Sequence, residues 1–216
     1  MIRMINQESI DKFRLELPVF EKNIRAFEAG EIDRNTLKGI TGGFGSYAQK
    51  EGGYMLRLRL PGGRVSKDTL KFIVDKIKEH QIDLLKLTTC QTIQLHNLSA
   101  DSVITLIRDA LDFGIFTKGG GGDNPRNVMV SPLSGIEPSE FFDVYPYAKA
   151  AGEYLIDRMP SLHMPRKLKV GFSNSPENEV HATFRDLGFV ARENGTFFYI
   201  LCRRSRTESK TRRSYR

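Results

Sequence analysis

Length, composition and charge set the first limits on this chain. Its 216 residues are 39% hydrophobic and 27% charged, which suits one large domain or two small ones whose core needs no disulfides. No apolar run reaches the roughly 18 to 20 residues of a membrane helix, and the N-terminus lacks the apolar segment of a signal peptide. We therefore expect a cytoplasmic protein without a membrane partner.

The net charge of +7 is concentrated at one end of the chain. Residues 203–216 carry seven cations and one anion, which leaves residues 1–202 with 26 cations and 25 anions. We expect this basic segment to be disordered because it has no aliphatic side chain. One alternative is a nucleic-acid-binding protein that acts through this segment. We rank it low because the body is nearly neutral and only Tyr215 could stack on bases.

Residues 1–42 are predicted to form an N-terminal helical extension. Apolar residues at three- and four-residue spacing predict a helix over 9–30, started or kinked near Pro18. A glycine-rich loop is expected next, at Gly39, Gly42, Gly43 and Gly45.

Residues 43–118 are predicted to form an α+β unit. Strict alternation over 54–60 predicts a strand with three leucines on one face and two arginines on the other. A helix capped by Ser66 is expected next. Two short strands and a second helix complete the order strand, helix, strand, strand, helix; we place them at residues 83–88, 91–95 and 101–113.

A run of four glycines, residues 119–122, predicts the start of a second unit that extends to residue 202. The run suits a flexible joint or a cradle of backbone N–H groups for an anion, and the two readings are compatible. Beyond it we expect an apolar stretch, a helix, a strand and a hairpin, at residues 127–130, 138–159, 167–172 and 185–200.

Cations recur on the polar faces of the predicted strands. Period-two alternation places Lys167 beside Lys169, and Arg57 beside Arg59, while Arg126 follows the glycine run. Like charges on neighbouring same-face positions repel, so a polyanion lying across them would explain the pattern. For any single strand, a solvent-exposed face is the alternative. Taken together, the three instances favour anion binding.

The segment from Thr88 to His96 alternates as well, and its polar face would line a pocket or meet water. Within it, Cys90 has no acid–base partner at a recognisable spacing, so we interpret it as a buried thiol and not as a nucleophile. The four histidines show no short metal-ligand spacing, and we predict no metal site in this chain.

Four segments resemble one known family. They are residues 54–63 (YMLRLRLPGG), 87–96 (LTTCQTIQLH), 122–128 (GDNPRNV) and 165–169 (PRKLK). In this order they resemble the sirohaem-containing nitrite and sulfite reductases, over about residues 43–200. The resemblance implies a ferredoxin-like half domain followed by a partial catalytic α+β domain, so the fold class we expect is α+β.

The resemblance also implies an activity and a site. Complete members reduce sulfite to sulfide or nitrite to ammonia with six electrons from a donor protein or reductase subunit. The positions that match their catalytic cations are Arg126, Lys167 and Lys169, which would contact the small anionic substrate and the carboxylates of sirohaem. The cofactor-binding positions implied by the matching segments are Arg57, Arg59, Cys90, Gln91, Thr92, Arg126, Asn127 and Arg166.

Two departures from the family's pattern bear on function. Members commonly have Thr-Thr-Arg-Gln where this chain has Thr-Thr-Cys-Gln, so Cys90 replaces an arginine. The cysteine pairs that hold the family's [4Fe-4S] cluster are missing, and Cys90 with Cys202 cannot supply four thiolates. We therefore expect the sirohaem-binding portion of a truncated reductase that is inactive alone, or a domain that binds an anionic tetrapyrrole without turnover.

A change of reading frame would explain the basic end. If the codons after Cys202 are read one base displaced, they permit the sequence GGLGPNPKLGV, which resembles what the family would supply there. Our hypothesis is that residues 203–216 are out-of-frame translation.

Overall fold

The computed structural model describes residues 7–201. Cys202 and the segment 203–216, predicted to be disordered and out of frame, lie outside this range. Within residues 7–201, no helix has both the length and the apolar character needed to cross a membrane.

Two helices precede the first sheet. Helix α1 (Gln7–Glu28) confirms the helix predicted over 9–30. Helix α2 (Arg34–Phe44) shows that the predicted glycine-rich loop is wrong. Asp33 caps its first turn by accepting a hydrogen bond from the Thr36 N–H at 2.7 Å, and Gly45 ends it with a φ of 88°. These end signals outweigh the weak helix propensity of its glycines.

The first sheet is antiparallel and confirms the predicted α+β order. Its strands are β1 (Ser46–Ala48), β2 (Tyr54–Arg59), β3 (Leu85–Leu87) and β4 (Thr92–Leu98), which lie in the order β1-β2-β4-β3. Helices α3 (Lys67–Glu79) and α4 (Ala100–Phe113) begin at serine caps, Ser66 and Ser99, as their sequences favour.

One apolar core joins the leucine face of this sheet to the helices. Leu56, Leu58 and Leu60 pack in a single cluster with side chains from α1, α2, α3 and α4. The N-terminal helices are therefore part of the core of the first unit, because Phe13, Leu17, Phe20 and Ile24 of α1 are buried in the same cluster.

The second sheet is mixed. It contains β5 (Met129–Val130), β6 (Val170–Ser173), β7 (Leu187–Ala191) and β8 (Phe197–Leu201) in chain order. The first three are parallel, and β8 returns antiparallel to β7, which confirms the predicted hairpin. The predicted strand over 167–172 is shifted, because β6 begins at Val170. Before it, Leu168 forms an isolated bridge with Pro125, and the Lys169 carbonyl accepts from the Leu187 N–H of β7 at 3.1 Å.

The helix of the second unit, α5 (Tyr145–Arg158), begins later than the predicted start at 138. The preceding segment is tied to the end of β6 instead. The Asn174 side chain donates to the carboxylates of Glu137 and Glu140, and the Asn174 backbone carbonyl accepts from the Phe141 N–H at 3.1 Å. Because these contacts fix the segment as turns, the prediction of a helix from 138 is wrong there.

The glycine run is packed and not a free joint. The N–H groups of Gly119, Gly120 and Gly122 donate to the Gly43 carbonyl, the Thr117 carbonyl and the Tyr47 hydroxyl. A Cβ on Gly121 would lie 2.1 Å from the Tyr47 hydroxyl oxygen and 2.5 Å from the Gly42 carbonyl oxygen. These three N–H groups are therefore unable to cradle an anion, and glycine is needed here for close backbone approach.

Candidate anion-binding site

A cavity of about 270 Å³ lies where the two sheets meet. We call it the anion cavity, and its lining residues are Arg57, Thr88, Thr89, Cys90, Arg126, Lys167 and Lys169. Four of these described residues are cationic and none is acidic. The structure thus brings together the three predicted catalytic cations, Arg126, Lys167 and Lys169, on one hollow.

Lys167 and Lys169 reach the anion cavity from one side of an extended segment. Between them, Leu168 is held by backbone bonds: its N–H donates to the Asn124 carbonyl at 3.3 Å and its carbonyl accepts from the Arg126 N–H at 2.8 Å. The Lys169 N–H donates to the Asp186 carboxylate at 2.8 Å. Period-two alternation then places both lysine side chains on the same face.

Arg126 is oriented by the backbone of the glycine run. Its guanidinium donates to the Gly119 carbonyl at 3.2 Å and to the Gly122 carbonyl at 2.8 Å. Because both of these partners are neutral, they leave the positive charge of Arg126 uncompensated for the cavity.

Arg57 enters the cavity from β2. Burial, followed by repulsion from Arg126, lowers its pKa below the ordinary arginine value. Within residues 7–201, its Nε atom is buried and has no hydrogen-bond partner. A buried donor without a partner beside other cations is a position where a bound anion would supply the missing acceptor.

The turn between β3 and β4 provides the remaining wall. The Thr88 and Thr92 hydroxyls are 2.7 Å apart, and Gln91 holds a φ of 55°, which turns the chain sharply after Cys90. Cys90 is buried, as predicted for a thiol with a packing role, and its cluster includes Met129, Val180 and Ala182. It also faces the anion cavity, at the position where the resemblance led us to expect an arginine.

Five predicted cofactor-binding residues do not line the anion cavity. The Gln91 amide exchanges two hydrogen bonds with the Val130 backbone, at 2.6 and 2.9 Å. The Asn127 amide donates to the carbonyls of Leu60, Cys90 and Gln91. Both side chains join the two sheets. Of the others, Thr92 binds Thr88, Arg166 is exposed, and Arg59 is buried behind the cavity.

Sequence reasoning missed Thr89 as a lining residue. Its neighbour Thr88 lies on the polar face of the alternating segment, but Thr89 falls out of that period. The only signal for it was its place in the Thr-Thr-Cys-Gln segment, where a turn interrupts the alternation and exposes consecutive residues to the same cavity.

A second group of charged residues lies away from the cavity, on α3 and α4. Glu79, His80 and Asp109 place potential metal-ligand atoms within 4.8 Å of one another. However, the Lys76 ammonium lies 2.7 Å from Glu79 and 2.6 Å from Asp109. Because the Lys76 ammonium already pairs with both carboxylates, this cluster is an ion-pair network.

Two family models match the chain. Residues 47–112 match the nitrite/sulfite reductase ferredoxin-like half domain. Residues 121–215 match the nitrite and sulphite reductase 4Fe-4S domain. The two matches follow one another along the chain and correspond to the first and second units of the fold.

Curated relatives carry reductase names. The sulfite reductase [NADPH] hemoprotein beta-component of Nitrobacter winogradskyi is 30% identical over 164 residues, covering 64% of this chain and 28% of the relative. The chloroplastic ferredoxin–nitrite reductase of Spinacia oleracea is 27% identical over 156 residues, covering 69% of this chain and 26% of the relative. The chain thus spans less than a third of the length of these relatives.

A solved structure shares the fold. The NirA protein of Mycobacterium tuberculosis superimposes with a TM-score of 0.66 at 24% identity, covering 83% of this chain and 38% of that protein. The predicted α+β fold with a ferredoxin-like half domain is confirmed by this likeness and by the family match.

Proposed function

Since the chain belongs to the nitrite and sulfite reductase family, we propose that it is the portion of such a reductase that binds a small oxyanion and the carboxylates of sirohaem. One observation carries this proposal. Four cations, Arg57, Arg126, Lys167 and Lys169, converge on one cavity whose described lining contains no carboxylate. Such an unbalanced site favours a ligand with several negative charges.

The residues of the anion cavity fit a polycarboxylate macrocycle. Arginine forks bind carboxylates in two-point contacts, and the unpartnered Nε of Arg57 supplies a donor that nothing in residues 7–201 satisfies. In this proposal Arg57, Arg126, Lys167 and Lys169 would all contact carboxylates of sirohaem. The two lysines, with the Thr88 and Thr89 hydroxyls, would also contact the substrate. Sirohaem, when bound, supplies the iron centre through which electrons reach the substrate.

The lysines have a second role in this proposal. Reducing sulfite to sulfide or nitrite to ammonia removes oxygen as water, so each step consumes protons together with electrons. Ammonium groups can give up a proton, whereas guanidinium groups stay protonated in proteins. We therefore assign proton donation to Lys167 Nζ and Lys169 Nζ, and charge stabilisation to Arg57 and Arg126.

The [4Fe-4S] cluster does not fit this chain. Such a cluster needs four thiolates, and the sequence has two cysteines, one of which faces the anion cavity. We therefore propose that this chain alone binds the anionic tetrapyrrole without turnover. Reduction of nitrite or sulfite would need the remaining thiolates and an electron donor, either a ferredoxin-type protein or an NADPH-dependent subunit of the kind named for the relatives.

Titration with sirohaem tests the proposal. The 216-residue chain is titrated with sirohaem while the visible absorption band of the tetrapyrrole is followed, for wild type and for Lys169→Gln. We expect saturable binding that weakens at high salt, because charge pairing at the cavity mouth is screened. Loss of one ammonium should weaken binding by about tenfold or more, as removal of a charged hydrogen-bond partner typically does.

Lys78→Gln is the matched control. Lys78 is an exposed lysine on α3, the helix that packs against the leucine face of the first sheet, opposite Arg57. We expect the Lys78→Gln variant to bind sirohaem with the wild-type affinity. Wild type that shows no saturable binding, or a Lys169→Gln variant that binds as Lys78→Gln does, contradicts the proposal.

A further inference from the structure

Arg59 is a buried cation that does not face the anion cavity. The residue is 3% exposed, and the hydrogen bonds of its guanidinium in the described part of the chain go to backbone carbonyls. We propose that Arg59 is a positioning residue, which sets the affinity of the anion cavity through Arg126 without touching the ligand. This inference rests on the proposed function of the cavity.

Arg59 binds both ends of one loop. Its Nη1 atom donates to the Lys118 carbonyl at 2.8 Å and to the Pro125 carbonyl at 3.1 Å. Its Nη2 atom donates to the Arg126 carbonyl at 3.1 Å. The loop between these carbonyls, residues 118–126, contains the glycine run and ends at the cavity arginine.

Arg126 binds the inside of the same loop. Its guanidinium donates to Gly119 and Gly122 while its own carbonyl is a partner of Arg59. Two arginines therefore fix one loop, Arg59 from behind the cavity and Arg126 from within it. A change at Arg59 would shift the backbone that carries Arg126 and the carbonyls that orient its guanidinium.

Burying the charged guanidinium of Arg59 costs free energy. Burial, with repulsion from Arg126 and Arg57, lowers the pKa of Arg59 to about 9, so it remains charged at neutral pH. A Cβ on Gly119 would lie 2.6 Å from Arg59 Nη1, so the close approach requires glycine. An apolar side chain would fill this space without the desolvation cost of a cation, which argues for a role beyond filling space.

A double-mutant cycle tests the inference. Sirohaem affinity is measured for wild type, Arg59→Met, Arg126→Met and the double variant. If Arg59 acts through Arg126, each single change should weaken binding by about tenfold or more, and the double variant should bind no more weakly than Arg126→Met alone. Arg59→Lys should recover only part of the affinity, because one ammonium cannot reproduce the guanidinium fork.

Arg64→Met is the matched control. Arg64 also binds a carbonyl across the junction of the two units, that of Ser134 at 2.8 Å, and stacks 3.8 Å from the Tyr145 ring centroid. It does not line the anion cavity. We expect Arg64→Met to lower thermal stability and leave the affinity near the wild-type value. Additive effects of Arg59→Met and Arg126→Met, or an equal affinity loss in Arg64→Met, overturn the inference.

Hydrogen exchange separates this inference from the proposed function. The amides of Gly119, Gly120 and Gly122 are all bonded, so they should exchange slowly in wild type and faster in Arg59→Met and Arg59→Lys. If wild type binds no sirohaem, the proposed function fails, and with it the effect assigned to Arg59 on affinity. If sirohaem binds but exchange of these amides is unchanged in both variants, only the positioning role of Arg59 is overturned.

Discussion

The two sheets of the molecule are stabilised in different ways. The first is antiparallel and buries its leucine face under four helices in one large apolar cluster. The second has a smaller cluster, and its first strand, β5, contains two residues. Polar side chains join β5 to the first unit, because the Gln91 amide pairs with the Val130 backbone.

This difference in packing accounts for the position of the anion cavity. The first core is apolar throughout. The junction of the two sheets combines a small apolar cluster, Cys90 with Met129, Val180 and Ala182, with amides and guanidinium groups that donate to backbone carbonyls. Polar junctions of this kind leave room for charged groups that would be too costly inside an apolar core. The anion cavity lies at this junction, with Arg57 contributed by the first unit and Lys169 by the second.

The largest expected effect tests the difference between the cores. Phe20 is fully buried in the first cluster, whereas Phe189 of the second sheet is partly buried and stacks on Phe172 with ring centroids 4.4 Å apart. We expect Phe20→Ala to lower the free energy of unfolding by about 3–5 kcal/mol, and Phe189→Ala to lower it less. Urea unfolding measures both, and equal losses would show that the two cores are equivalent.

The next largest effect is the stabilisation of the fold by an anion bound at the junction of the two sheets. An anion that binds only the folded state should raise the free energy of unfolding by about 2.7 kcal/mol at about 100 times its dissociation constant. We expect this for sulfite with wild type and much less for Lys169→Gln at the same sulfite concentration. General salt effects on stability act on both proteins, so the difference between wild type and Lys169→Gln reports binding at the cavity. Equal stabilisation of both proteins would mean that the anion acts outside the cavity.

The close packing of the glycine run gives a smaller effect. Gly121→Ala would drive a Cβ against Tyr47 and the Gly42 backbone, so we expect a loss of about 1–3 kcal/mol in the free energy of unfolding. Gly39 lies within α2, and a Cβ added there would meet no atom within 4 Å, so Gly39→Ala should stabilise by about 0.5–1 kcal/mol. A Gly121→Ala variant as stable as wild type would show that the run is loosely packed.

The sequence predicted the elements that carry their own local signals. The Ser66 cap of α3, the apolar periods of α3 and α4, and the Asn-Gly turn of the last hairpin are visible without tertiary contacts. Helix α2 was missed because its three glycines lower helix propensity, and of these only Gly42 is explained by close approach, to Tyr47 and Gly122. Tertiary packing of that kind has no local signature.

The anion cavity was partly predictable, because some of its residues also carry a local signal. Alternation places Lys167 and Lys169 on one face, so their convergence follows from strand geometry. Alternation also placed Arg59 beside Arg57, but the structure gives them different surroundings because the loop of residues 118–126 covers only one of them. Which arginine binds carbonyls and which faces the cavity depends on that loop, which sequence spacing does not reveal.

The smallest effect tests whether α2 depends on its local cap as well as on the apolar core of the first unit. The Thr36 backbone N–H, donating to the Asp33 carboxylate, lowers the pKa of Asp33 below its ordinary value of 3.8. Since the folded-state pKa is depressed, the stabilisation from the Asp33 charge is present above the ordinary value and is lost as pH falls through the folded-state value. Asp33→Asn keeps a capping side chain and removes the titration.

We therefore expect wild type to be slightly more stable than Asp33→Asn at neutral pH, and this advantage to shrink as the pH falls below about 4. Thermal unfolding followed by circular dichroism across this range measures the difference. A stability difference that stays constant from neutral pH to acid would contradict the charged cap. The fold of α2 would then depend on burial of Leu37 in the core of the first unit and not on its first turn.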